Sequence, residues 1–242
     1  MNHNFRLDFV GYTGKTGNII YNSLKEKYNF TNLVNSKNYK DYLRKDFNDT
    51  ILIDFSSKQF VFEFIEANNG KEFRNLFYIS GVTGFLVEEF EYINSSFVNM
   101  KAFGLHFPNF SIGINLINDF VRKVSSYFFE AEIIEMHHKT KKDKPSGTSL
   151  MTSTIINQVW KRNNINNQVN VHSIRLPSLV AHQTILFSNE FGEIIEITHH
   201  SISRSCFSIG VHKVLEKIFK SKYDEFVPGF KFNLNLLEFI EG

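Results

Sequence analysis

The spacing of apolar positions changes character along the chain. In the first hundred or so residues, short apolar runs alternate with amphipathic stretches. Phe5–Val10, Asn32–Asn35, Thr50–Phe55, Leu76–Ser80 and Met100–Phe107 have the length and β-branched or aromatic content of strands. Between them, Gly14–Lys27, Ser57–Asn68 and Leu86–Asn94 read as helices, the first placing Ile20 and Leu24 on one face. Alternation of strand and helix predicts a parallel sheet covered by helices, the doubly wound architecture that binds dinucleotides.

After Pro108 the pattern shifts. A helix is expected over Ile112–Phe128, with Leu116, Phe120, Val121, Val124 and Phe128 at helical spacing. Ala131–His137 alternates as a strand, and Thr148–Trp160 reads as a helix. Val169–Arg175, Gln183–Asn189 and Ile194–Ser201 are three further strands, and Phe207–Phe219 is a helix before an apolar tail. The fold class expected is α/β: an N-terminal Rossmann-like dinucleotide-binding domain over residues 1–108, then a C-terminal α+β domain with an open mixed sheet over 109–207. Residues 208–242 are expected to pack back on the first domain.

Composition narrows the class of function. The chain has 242 residues, 42% of them hydrophobic and 21% charged, which suits a soluble globular protein without disulfides or metal. The 27 phenylalanines read as compositional bias feeding the core. A net charge of +2, with basic and acidic residues interleaved, argues against nucleic acid as a partner. The single cysteine, Cys206, excludes an internal disulfide and fits a reducing compartment. Met1–Phe5 carries no leader-like pattern, and no apolar run approaches the roughly 18 residues of a membrane span. A cytoplasmic location is expected.

The turn after the first strand reads Gly11-Tyr12-Thr13-Gly14-Lys15-Thr16-Gly17. Glycines here permit a tight turn and close approach of backbone to a pyrophosphate at the helix N-terminus. The residues expected to face the adenine ribose, Asn35-Ser36-Lys37, include no carboxylate. Such a lip, with Lys15 nearby, suits NADPH, with NADH also possible. Asp54-Phe55-Ser56 and Gly81-Val82-Thr83-Gly84 end two further strands, at the edge where open α/β sheets bind ligands.

The segment richest in chemistry runs from Glu135 to Thr148, EMHHKTKKDKPSGT. A strand delivers His137 and His138 to its end, a lysine-rich loop follows, and Pro145-Ser146-Gly147-Thr148 opens a helix. A helix start of this composition seats a carboxylate, neighbouring lysines add positive charge, and a histidine moves a proton near neutral pH. The same residues also read as a solvated loop with an ordinary N-cap at Ser146 or Thr148. Adjacent histidines in extended chain point to opposite sides, so the two have separate roles. No third ligand stands at metal-binding spacing, so no metal is expected.

This segment resembles the signature of the 4-hydroxy-tetrahydrodipicolinate reductase (dihydrodipicolinate reductase) family, E-x-H-H-x-x-K-x-D-x-P-S-G-T. Glu135, His137, His138, Lys141, Asp143, Pro145, Ser146, Gly147 and Thr148 meet every fixed position. The glycine turn, Asp54-Phe55-Ser56, the Gly81–Gly84 segment, Pro108–Asn115, Glu196–His199, Ser203-Arg204 and Phe207 agree in order. The resemblance implies an NADPH- or NADH-dependent oxidoreductase of lysine and diaminopimelate biosynthesis. It implies His137 and Lys141 as the catalytic acid/base and its partner, with His138, Ser146, Gly147 and Thr148 around a small cyclic dicarboxylate. It places Gly11 to Gly17, Phe55, Gly81, Val82, Thr83, Pro108, Asn109 and Phe110 around the cofactor, and implies a homotetramer. The chain departs from the family with Val82 where threonine is usual, and with Ala181, His182 and Gln183 where a glycine and a histidine are usual. Two other readings remain: a same-fold reductase of another imine or keto acid, and a nucleotide-binding regulator without activity.

Overall fold

The structure is a computed structural model, and it describes residues 5–242. The leader reading at Met1–Phe5 therefore falls largely outside the described residues. The chain divides into two compact units. One takes the chain up to Phe110 together with Phe207–Gly242; the other is Ser111–Cys206.

In the first unit, β1 (Arg6–Val10), β2 (Phe30–Val34), β3 (Thr50–Asp54), β4 (Leu76–Ser80), β5 (Phe103–His106) and β10 (Gly229–Lys231) form one sheet. Its order is β10-β5-β4-β3-β1-β2, and every pairing is parallel. Parallel strands are buried on both faces, which explains their unbroken apolar runs: all five residues of β3 and of β4 are buried. The helices are α1 (Lys15–Leu24), α2 (Tyr39–Tyr42), α3 (Lys58–Ala67), α4 (Phe90–Asn99), α7 (Cys206–Lys220) and α8 (Leu236–Glu241). Phe47, Phe60, Phe64, Phe73, Phe97 and Phe230 belong to one buried cluster. Several of their rings meet edge to face, as Phe47 and Phe64 do with centroids 5.0 Å apart. Each such ring contributes about 1.5–3 kcal/mol by leaving water.

The register lines up the ends of the strands. Val10 stands beside Asp54, Asp54 beside Ser80, and Ser80 beside His106. The segments beginning at Gly11, Phe55, Gly81 and Phe107 therefore leave the sheet along one carboxyl edge, and the ladder runs a step past it. Phe55 N–H donates to Val10 O, Gly81 N–H to Asp54 O and Phe107 N–H to Ser80 O.

The second unit pairs β6 (Glu130–His137), β7 (Asn170–Arg175), β8 (Ala181–Ser188) and β9 (Ile194–Ser201) in the order β7-β6-β8-β9. β6 and β7 run parallel while the other pairs are antiparallel, so this sheet is mixed. One face packs on α5 (Ile112–Val124) and α6 (Gly147–Arg162) through Ile133, Ile185, Phe187, Val121, Ile156 and Trp160. The Trp160 indole N–H donates to Phe128 O at 2.8 Å, so the largest core side chain is also satisfied.

Several boundaries differ from those expected. The helix placed over Leu86–Asn94 is a short 3-10 turn, Val87–Glu89, followed by α4 ending at Asn99. Glu89 accepts the Leu86 N–H, which delays the helix proper. The strand expected from Met100 starts at Phe103, because Lys101 turns the chain with φ 53°. β10, α2 and α8 were not expected as elements at all.

Candidate active site

The glycine turn is fixed by contacts that tolerate no side chain. Gly11 has φ +82°, and a Cβ there would lie 2.7 Å from the Phe55 backbone. A Cβ on Gly17 would lie 2.2 Å from Gly11 O. The turn thus presses α1 against β1 and β3. Gly14 is the N-cap of α1 and offers no side chain to cap it, leaving the helix start for an anion.

Beside this turn lies a cavity of about 380 Å³, lined among others by Gly11, Thr13, Asn35, Ser36, Phe55 and Glu63. Its size and position suit the adenosine half of a dinucleotide. Asn35 is held by its neighbours: its Nδ2–H donates to the Tyr12 hydroxyl and its Oδ1 accepts the Lys37 N–H. At the cavity this turn therefore presents the Asn35 amide and the Ser36 hydroxyl. Glu63 is a group that sequence reasoning missed. It reaches the cavity from α3 rather than from the end of β2, where a ribose-binding carboxylate is normally sought. Lys15 is exposed and Thr16 half-buried at the start of α1.

The other residues expected around the cofactor sort into surface and support. Phe55 stacks on Phe9 and lies across Gly81, whose Cβ would come 2.4 Å from its ring. Thr83 and Gly84 are exposed. Val82 is buried, with its N–H given to Ser80 Oγ and its carbonyl taken by the His106 ring. Phe110 is buried, its ring against Phe55 and Phe107, so it supports the edge from below. Pro108 and Asn109 are half-buried on the same connection.

In the second unit, alternation along β6 turns Glu135 inward, and its carboxylate is fully buried. Arg175, at the end of β7, grips both its oxygens at 2.8 and 2.7 Å. His137 Nδ1 is hydrogen-bonded to the Glu135 carboxylate. Burial alone would raise the Glu135 carboxyl, but the bonds from Arg175 and His137 hold it below its ordinary range. Burial lowers His137, an effect that the bond to Glu135 only partly offsets and that Lys141 and Arg175 reinforce. At neutral pH the ring is therefore uncharged. Its Nδ1–H faces Glu135, and Nε2 carries the lone pair.

The loop after β6 is tied to the same group. Arg175 also donates to Asp143 O at 2.7 Å, and the Asp143 carboxylate holds the Lys141 ammonium at 2.7 Å. His138 leaves the strand on its own course and bonds Thr140, separate from His137 as their alternation predicts. Ser146 is the N-cap of α6: its hydroxyl accepts the Ser149 N–H and is buried. Of Ser146, an anion would meet the backbone rather than the hydroxyl. A Cβ on Gly147 would meet nothing within 4 Å, so the first turn of α6 opens onto free space beside Thr148. Arg175 was not singled out in the sequence. Its meaning depends on the register that sets it beside His137. Among the described residues, no group of three or more His, Cys, Asp or Glu is placed to hold a metal ion.

Residues 113–230 match the family model described as dihydrodipicolinate reductase, C-terminus. A 4-hydroxy-tetrahydrodipicolinate reductase of Coxiella burnetii (strain Dugway 5J108-111) is 30% identical over 227 residues, covering 88% of this chain and 93% of the relative. That of Thermosipho africanus is 32% identical over 219 residues, covering 90% and 93%. Among solved structures, the dipicolinate-bound dihydrodipicolinate reductase of Paenisporosarcina sp. TG-14 superposes with a TM-score of 0.69 at 25% identity, covering 96% of this chain and 98% of that one. The chain belongs to the 4-hydroxy-tetrahydrodipicolinate reductase family.

Proposed function

We propose that this chain reduces 4-hydroxy-tetrahydrodipicolinate to tetrahydrodipicolinate, with the first unit holding NADPH or NADH and the second holding the substrate. Members of the family are nicotinamide-dependent oxidoreductases of lysine and diaminopimelate biosynthesis. The observation that carries the reading is the Arg175–Glu135–His137 chain, with Arg175 also holding the Asp143 carbonyl in the loop that leads to a helix start open at Gly147. It joins a proton-handling imidazole to a seat for a carboxylate.

The glycine turn fits the cofactor, because Gly11 and Gly17 leave room only for backbone and α1 begins without a cap. Gly11 to Gly17 would hold the pyrophosphate, and Phe55, Gly81, Thr83, Pro108 and Asn109 would line the rest. When bound, reduced nicotinamide supplies a hydride. The overall change consumes one hydride and one proton, and the ring hydroxyl leaves together with one ring hydrogen as water.

His137 and Lys141 handle the proton. In the resting protein the His137 ring is neutral. A doubly anionic substrate raises its affinity for a proton, as any nearby negative charge does. Glu135 fixes the tautomer, so the proton is gained and lost at Nε2. Lys141 supplies positive charge, and Asp143 aims it. The backbone at Gly147 and Thr148, with His138, binds a substrate carboxylate.

The face of the mixed sheet opposite α5 and α6 carries Ile134, Met136, Ile174 and Leu186. We assign this face to self-association into a homotetramer, in the cytoplasm. No helix among the described residues is long and apolar enough to cross a membrane.

The test is loss of the reduced-nicotinamide absorbance when enzyme, NADPH or NADH, and freshly generated substrate are mixed. Oxidation that needs all three supports the reading. Coenzyme binding without turnover on this substrate defeats it. Light scattering on the same sample gives the mass of the assembly.

A further inference from the structure

His106 ends β5 and is buried, with 5% of its surface exposed. Burial pushes its pKa down to about 4, so the ring is neutral and has a single N–H. Its two nitrogens meet partners that leave no choice of tautomer. Nε2 lies 2.9 Å from Val82 O, which can only accept, so Nε2 carries the hydrogen. Nδ1 lies 3.2 Å from the Asn233 backbone N–H, which can only donate. The next residue of the tail, Leu234, donates its N–H to His106 O at 3.0 Å. The tail is brought here by β10, which pairs with β5 and then turns at Asn233 with φ 54°.

Val82 is thereby held at both backbone groups, its N–H by Ser80 Oγ and its carbonyl by His106. Its two successors, Thr83 and Gly84, stand exposed. Phe85 closes over the His106 ring edge to face, with centroids 5.5 Å apart. The loop from Gly81 to Gly84 is therefore pinned at Val82 by a side chain from β5. A neutral histidine suits the task because it spans two backbone groups on opposite sides with one donor and one acceptor.

We propose that His106 is a positioning residue for the nicotinamide half of the coenzyme, setting the Gly81–Gly84 loop through the Val82 carbonyl under the control of the C-terminal tail. The proposal rests on the reading that this loop lines the coenzyme site. His106 touches neither coenzyme nor substrate; it acts through Val82. Two ligands separate its effect from the rest of the site. NADPH reaches the loop, whereas 2′-phospho-ADP-ribose lacks the nicotinamide and reaches only the glycine turn and the cavity near Asn35.

The experiment measures binding of both ligands, and steady-state kinetics, for His106→Leu, His106→Gln and His106→Asn. Leucine removes both contacts. A glutamine amide falls near the imidazole Nε2 and can donate to Val82, while asparagine reaches only as far as Nδ1. His106→Leu should weaken NADPH binding and raise its KM about 10-fold, the scale of a buried carbonyl left without a donor. Binding of 2′-phospho-ADP-ribose should change by less than about 2-fold, and kcat should fall far less than KM rises. His106→Gln should restore most of the affinity and His106→Asn little. Equal weakening of both ligands, or equal behaviour of the three variants, overturns the proposal in favour of a merely structural histidine. Gly84→Ala serves as the control for the underlying reading. It strains the same loop at φ +89°, where its Cβ meets nothing. If Gly84→Ala weakens NADPH binding and His106→Leu does not, the role of His106 alone is refuted. If neither variant affects NADPH binding, the loop is not the coenzyme site and both statements fall.

Discussion

Arg175 and Glu135 form a two-pronged ion pair across neighbouring parallel strands, with the Arg175 side chain 5% exposed and the Glu135 side chain fully buried. The pair sets the state of a third residue. Arg175 keeps Glu135 ionised, and ionised Glu135 holds the Nδ1–H of His137. Arg175 then extends to Asp143, so the lysine-bearing loop and the imidazole share one anchor.

Replacing Arg175 with methionine should be costly. It leaves a buried carboxylate without a cationic partner, bonded still to the neutral His137 ring, and breaking a buried pair from one side costs about 3–5 kcal/mol. Urea unfolding of Arg175→Met at pH 7 reads this directly. The variant should also bind a proton at His137 more readily, because a repelling cation has gone. A change in stability below about 0.5 kcal/mol would mean that the pair is not formed as described.

The pH profile tests His137. Its pKa in the free protein lies below the ordinary 6.5, chiefly through burial. If the protonated ring delivers the proton, kcat/KM should fall as pH rises through that lowered pKa. The corresponding limb in kcat should sit at higher pH, since a bound dianion favours the charged ring. His137→Gln should lose the limb and about 10²–10⁴-fold in turnover. A limb that survives in His137→Gln assigns the proton to another group.

Much of this was legible in the sequence, and the exceptions have physical causes. Leu76–Ser80 and Ile194–Ser201 are strands with the boundaries their periodicity predicts, one a continuous apolar run and the other alternating. β10 was missed because three residues are too short for any period, and its pairing with β5 spans more than a hundred residues of sequence. Among site residues, the glycine turn and the segment from Glu135 to Thr148 announce themselves because their chemistry is local. Arg175 and Glu63 do not. Each enters its site from a separate element, so only register and packing reveal them. The same holds for His106, whose partners lie 24 residues before it and 127 after it.

Asp54 gives a prediction about stability. Its carboxyl is completely buried beneath the carboxyl edge of the first sheet, and burial raises its pKa to about 6 despite bonds from Ser56 and Tyr78. The unfolded group ionises near 3.9. Between these values the folded state binds the extra proton, so its stability is highest below the unfolded pKa and declines as pH rises toward 6. Asp54→Asn cannot ionise and should flatten that decline. Urea midpoints for both proteins from pH 4 to 7 make the comparison. Parallel curves would show that Asp54 does not carry the effect.

Glu63 gives a prediction about the choice between coenzymes. The turn Asn35–Lys37 offers no negative charge to a 2′-phosphate, while Glu63 presents one from the other side of the same cavity, steadied by a bond from Gln59 at 3.0 Å. A carboxylate accepts hydrogen bonds from ribose hydroxyls and repels a phosphate, so its presence favours NADH and opposes NADPH. Removing the charge by Glu63→Gln should raise the ratio of kcat/KM for NADPH over NADH several-fold, with most of the gain in KM for NADPH. Because the two coenzymes differ only at the 2′ position, kcat with saturating NADPH should stay as it is. The gain should shrink as salt screens the charge across the open cavity. An unchanged ratio at low ionic strength would place the 2′-phosphate out of reach of Glu63 and leave Ser36 and Lys37 as the residues that set the preference.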